Sequence, residues 1–126
     1  VYPLVDLAVC RAGAMTLSEL TCWGIPAILV PYPFAAGGHQ ERNARALVDD
    51  QAAVWIPEHD LTAAALGEKI ALLMEAGPIR EDIAERARRR GRRDATRDIA
   101  DHIVELARSR RAGSRSERAQ PAQAAP

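Results

Sequence analysis

Three short apolar runs punctuate the first half of the chain, at residues 7–10, 27–30 and 53–56. Each is continuous rather than alternating, and turn residues bound them: Pro26 and Pro31 flank the second, and Pro57 closes the third. That is the pattern of strands covered on both faces in a parallel sheet. Between the runs the period changes. Leu17, Leu20 and Ile25 fall near one face, Gly24 offers a stop and Pro26 bars continuation, which predicts a helix over residues 16–23. Thr16 with Glu19 three positions later loosely fits a capping box. A second helix is predicted from about residue 39 to 50, with Ala44, Leu47 and Val48 on its apolar side.

Strand, helix, strand, helix, strand is a repeated βαβ unit, so the fold class is α/β with a Rossmann-like parallel sheet. Leu61-Thr62 opens a third helix to about residue 75, and Gly77-Pro78 is read as its break. Helices over 79–90 and 94–109 follow, the last with Ile99, Ile103 and Leu106 at helical spacing as a docking stripe. Residues 111–126 hold no large apolar side chain and are expected to be a disordered basic, Ala- and Pro-rich tail. Residues 1–110 form the expected domain. Three strands are few for a doubly wound sheet and the chain opens abruptly on Val1-Tyr2-Pro3, so the expectation is a domain truncated on its N-terminal side.

Composition sharpens this picture in three ways. Aromatic residues are only 4% of the chain, so the core must be built from Ala, Leu, Ile and Val. Formal net charge is +0, which gives no reason to expect a nucleic-acid partner. Residues 86–118 nevertheless hold twelve arginines against five acids, a solvated helix face on the plain reading and a weak attraction to an anionic membrane surface on the sharper one. Cys10 and Cys22 have no CxxC partner and read as buried thiols of a reducing compartment. No signal peptide or bilayer-length apolar run is present, which places the expected location in the cytoplasm.

Ligands of parallel α/β sheets sit beyond the carboxyl ends of the strands. Two loops leave strands there. In residues 11–16, Gly13 and Ala14 leave the backbone uncovered ahead of a helix N-terminus, which suits a phosphate, and Glu19 one turn on suits a vicinal diol. Alternatively, Gly13 is a turn residue and Glu19 a first-turn acid. In residues 31–40, Gly37-Gly38 precede His39-Gln40, with Asn43 a turn later. Gln40 suits sugar hydroxyls and His39 a phosphate or a base role, or both belong to a solvated helix start. Glu41 is expected in solvent. His59 falls in a polar turn and His102 on a helix surface. No GxGxxG, no metal-ligand spacing and no Ser-His-Asp set can be nominated, so no cofactor and no metal is implied.

The segments Asp6-Leu-Ala-Val-Cys-Arg-Ala-Gly-Ala-Met-Thr-Leu-Ser-Glu19, Gly24-Ile-Pro-Ala-Ile-Leu-Val-Pro-Tyr-Pro33, His39-Gln40 with Asn43-Ala44, and Asp94-Ala-Thr-Arg-Asp-Ile-Ala-Asp101 together resemble one family. It is the bacterial undecaprenyl-diphospho-muramoylpentapeptide β-N-acetylglucosaminyltransferases of peptidoglycan synthesis, glycosyltransferases of family 28 type. The likeness is to their C-terminal domain and covers residues 4 to 110. It implies a two-domain GT-B enzyme, peripheral on the inner face of the cell membrane. Its C-terminal domain holds UDP-N-acetylglucosamine, and its other domain faces the lipid-linked acceptor and carries the catalytic residues. By that resemblance, Ala14, Met15 and Thr16 approach the donor diphosphate, Glu19 holds the ribose, His39 and Gln40 contact the N-acetylglucosamine, and Arg11 and Gly13 shape the loop. Gly37-Gly38 depart from the residues often found before the His-Gln pair. A UDP-sugar epimerase, another GT-B glycosyltransferase and a non-catalytic nucleotide-sugar-binding module are the alternative readings.

Overall fold

The computed structural model describes residues 2–118, with side chains through Arg110. Three strands, β1 (Ala8–Cys10), β2 (Ala27–Leu29) and β3 (Val54–Trp55), form one parallel sheet in the order β1-β2-β3. Ala8 pairs with Ala27 and Cys10 with Leu29, while Ile28 pairs with Val54. The strands are shorter than their apolar runs, because Val30 and Ile56 continue the pairing by single hydrogen bonds to Cys10 and Leu29 at 2.9 Å. Parallel neighbours require crossovers, and α1 (Ala14–Trp23) and α2 (His39–Asp49) supply them.

The central strand explains the layers. Ala27 and Leu29 face a core with Leu17, Leu20, Ala44 and Leu47 from α1 and α2. Ile28 and Val30 face the opposite core with Ile56 and Leu73. The latter residue belongs to α3 (Ala63–Glu75). The next helix, α4 (Gly77–Arg90), serves both cores, Ala87 reaching the first and Ile83 the second. Ile28, Leu29 and Leu73 are fully enclosed, and burying each such side chain stabilises by about 1.5–3 kcal/mol.

Helix ends follow local chemistry, with two differences from the sequence reading. Thr62 caps α3, its hydroxyl accepting from the Ala65 amide at 3.1 Å. Gly24 ends α1 in a left-handed conformation, and Ile25 N donates back to Leu20 O at 2.9 Å, a Schellman closure. Gly77-Pro78 does separate two helices, α3 ending at Glu75, but α4 begins at Gly77 rather than at residue 79, with proline in its first turn, where a missing N–H costs nothing. The capping box at Thr16 does not form. The first helix begins earlier, at Ala14, with extended Gly13 as its N-cap and no side-chain cap. Thr16 is thus already helical, and the Glu19 carboxylate points to a different partner.

The compact unit containing the sheet ends at Arg92, and a second begins at Arg93. This second unit contains α5 (Ala95–Arg118), on which Ile99, Ile103 and Leu106 are exposed. The helix extends beyond the end at residue 109 read from the sequence. Of the expected tail, residues 119–126 lie outside the described residues. Cys10 and Cys22 form no disulfide and are half-buried rather than buried, and desolvation pushes the Cys10 thiol up from its ordinary value. No helix among the described residues is long and apolar enough to cross a membrane.

The close contact of α1 and α4 depends on Gly91. A Cβ there would stand 2.7 Å from Thr21 O and 2.8 Å from Cys22 Cα, both backbone atoms that cannot swing aside. Gly91→Ala is therefore expected to cost about 1–3 kcal/mol by denaturant unfolding. Gly67→Ala, inside α3 with open space around it, is expected to stabilise by about 0.4–1 kcal/mol. Equal effects of the two would contradict this packing.

Candidate functional site

The carboxyl ends of the parallel strands bring three loops together. Arg11, immediately after β1, joins them. Its guanidinium donates to Val30 O at 3.2 Å and Pro31 O at 3.4 Å beyond β2. It also forms a two-point pair with Glu58 beyond β3, Nη2 donating to Oε1 at 3.1 Å, and lies 5.6 Å from the centre of the Tyr32 ring. Asn43 of α2 adds a further tie by donating to Ala12 O at 3.1 Å. Arg11 is thus a fork that satisfies strand-end carbonyls, in keeping with a loop-shaping role.

This arrangement leaves the start of α1 open. The first intrahelical bond runs from Leu17 N to Gly13 O at 3.0 Å, so the amides of Ala14, Met15 and Thr16 precede the helical ladder. No acid occupies that turn. Met15 is 78% exposed, and Ala14 is exposed beside it. Gly13 has an ordinary extended backbone, φ −70° and ψ 139°, and an added Cβ would meet only the Thr16 hydroxyl at 3.8 Å. Its conformation does not demand glycine; what glycine provides is an unobstructed approach to the three amides.

Glu19 lies on the exposed face of α1, about 4.5 Å further along the axis than Thr16 at 1.5 Å per residue. Its Oε2 accepts from the Tyr2 hydroxyl at 2.5 Å. Tyr2 belongs to a single 3₁₀ turn, Tyr2–Leu4, and its ring stacks on Trp23 with centroids 6.1 Å apart.

The second loop presents His39 and Gln40 at the first turn of α2. Gly37 and Gly38 both take positive φ, 59° and 64°, a conformation side chains disfavour. This supplies a backbone reason for the glycine pair. His39 Nδ1 is 2.6 Å from Ala36 O, and a carbonyl only accepts, so Nδ1 carries the proton and Nε2 is left for a ligand. Gln40 Oε1 accepts from Tyr32 N at 3.0 Å, which directs its amide NH₂ outward as a donor. Glu41 is exposed and paired with Arg45 at 2.9 Å, as expected of a solvent residue. His59 and His102 are exposed.

Two hollows adjoin these loops. One of about 550 Å³ runs from Ala14 and Ser18 past Asn43 to Arg89, Arg90 and Arg92. The other, about 540 Å³, is more apolar and lies among Pro31, Phe34, Trp55 and Glu58. Four arginines of the basic run are paired with acids: Arg86 with Asp82, Arg89 with Glu85, Arg90 with Asp50 and Arg97 with Asp94. The sequence reading missed Tyr2 and Glu58, partners 17 and 47 positions from the residues they hold. No local pattern signals such pairs.

Sheet and loops define a Rossmann-like α/β domain whose ligand edge is the carboxyl end of its strands. Residues 1–103 match the glycosyltransferase family 28 C-terminal domain, and the chain belongs to that family. Among curated relatives, the UDP-N-acetylglucosamine--N-acetylmuramyl-(pentapeptide) pyrophosphoryl-undecaprenol N-acetylglucosamine transferase of Anaeromyxobacter sp. (strain K) is 50% identical over 109 residues. That alignment covers 86% of this chain and 28% of the relative. The enzyme of the same name from Azotobacter vinelandii is 45% identical over 108 residues, 86% of this chain and 30% of the relative. The crystal structure of Acinetobacter baumannii MurG superposes with a TM-score of 0.74 at 34% identity, covering 82% of this chain and 30% of that one. The chain therefore spans less than a third of the proteins it matches.

The Arg11–Glu58 pair has a pH signature. Hydrogen bonding from Arg11 holds the Glu58 carboxyl below its ordinary value of 4.5, and the same bond raises Arg11. A carboxyl lowered in the folded state stabilises fully above its unfolded value and loses that contribution as pH falls through the folded one. Amide exchange of residues 31–38 is expected to quicken below about pH 4.5 relative to the sheet. Glu58→Gln should show the quicker exchange already at neutral pH, and slow exchange there in Glu58→Gln would refute the tie.

Proposed function

We propose that this chain is the donor-binding part of a glycosyltransferase that moves N-acetylglucosamine from UDP-N-acetylglucosamine to a lipid-linked N-acetylmuramoyl-pentapeptide in peptidoglycan synthesis. Family membership and the names of the relatives support the reaction. One observation carries the site: an uncapped, uncovered first turn of α1 followed on the same helix by the exposed carboxylate of Glu19.

In this reading the amides of Ala14, Met15 and Thr16, with the Thr16 hydroxyl, receive the diphosphate at the positive end of the helix dipole. Glu19 accepts from the ribose diol. Gln40 donates its amide, and His39 offers Nε2, to the N-acetylglucosamine. Arg11 and Gly13 hold the loop open. The catalytic residues and the acceptor contacts belong to a second domain of the whole enzyme, which works as a peripheral protein on the cytoplasmic face of the membrane. No nucleic acid enters the reaction.

Calorimetric titration of the chain with UDP-N-acetylglucosamine tests the assignment. Glu19→Ala is expected to weaken binding by about 1–3 kcal/mol, the cost of leaving ligand hydroxyls without a charged acceptor. Glu41→Ala, on the same edge but paired with Arg45, should leave affinity unchanged. Unaltered affinity in a folded Glu19→Ala chain would remove the ribose role.

A further inference from the structure

We propose that Tyr2 is a positioning residue that holds Glu19 in the orientation that accepts a ribose diol, an inference that rests on the donor-binding role of Glu19. The Tyr2 hydroxyl donates to Glu19 Oε2 at 2.5 Å, and among the described residues Oε1 has no partner. A carboxylate offers about four acceptor positions, so this one donor leaves room for two ligand hydroxyls.

Tyr2 is itself fixed from two sides. Its ring packs partly buried against the core that contains Leu17 and Leu20, and stacks on Trp23 at 6.1 Å with an interplanar angle of 27°. Trp23 lies four residues beyond Glu19, hence on the same helix face. The hydroxyl therefore reaches Glu19 from a ring anchored to the fold. A glutamate on a helix surface otherwise rotates broadly about its last torsion. Tyr2 selects one orientation before the ligand arrives, and preorganisation of this kind appears as affinity. The bond to Glu19, with some desolvation, raises the tyrosine pKa above its ordinary 10.0, at which the hydroxyl is already a donor at neutral pH.

Tyr2→Phe keeps the ring and the stack and removes only the donor. Titrations of the full chain with UDP and with 2′,3′-dideoxy-UDP separate positioning from mere stability. The expected result is a loss of about three- to tenfold in UDP affinity, in the range of the net contribution of one hydrogen bond, with no change for the dideoxy nucleotide. On a Glu19→Ala background the same substitution should have no further effect. An unchanged UDP affinity, or an equal loss for both nucleotides, would overturn the role of Tyr2. Should Glu19→Ala bind UDP as the parent does, the ribose reading fails and Tyr2 loses its premise. A weakened Glu19→Ala beside an undiminished Tyr2→Phe overturns the positioning role alone.

Discussion

Everything in this domain answers to one constraint, that β2 must be dry on both faces. Ala27 and Leu29 look one way and Ile28 and Val30 the other, and all four are buried. A parallel strand so placed needs helices on each side, and the helices between residues 14 and 90 divide accordingly. With so few aromatics available, the interior is filled by small aliphatic residues, and the layers must approach closely. The contact of Gly91 with the backbone of α1 is where that closeness is most acute.

The same constraint creates the ligand edge. Parallel strands end together, so their terminal carbonyls and the N–H groups of the following helices gather at one rim. The two kinds of group are treated differently here. Arg11 satisfies the carbonyls of Val30 and Pro31 and is held there by Glu58. The amides opening α1 receive no side-chain cap. Acceptors are closed off internally while donors are left to solvent, which biases the rim toward an anion.

The strands and helices were legible in the sequence because their signals are local. Apolar runs bounded by proline, Gly24 at a helix stop and the spacing of Leu17 and Leu20 each act over a few residues. Boundaries were less legible. Thr16 and Glu19 matched a capping box by spacing alone, but Gly13 and Ala14 could already start the helix, and Glu19 found a stronger donor in Tyr2. The placement of Ala14, Met15, Thr16, His39 and Gln40 at two strand-end loops was readable from topology. The ties that hold those loops were not, since Arg11–Glu58 and Tyr2–Glu19 exist only once the sheet has brought distant segments together.

Both terminal nitrogens of Arg11 are already engaged by carbonyls and Glu58, so its charge is spent within the loops. Arg89 and Arg90, in the groove that begins at Ala14, are likewise paired with acids. Arg92 lines the same groove, and beside it the opening turn of α1 would offer a phosphate directional groups, its backbone amides and the helix dipole. Fixed dipoles need little rearrangement when charge arrives beside them. In the proposed reading a nucleotide would be held by geometry, and the orientation of Glu19 would matter as much as its charge.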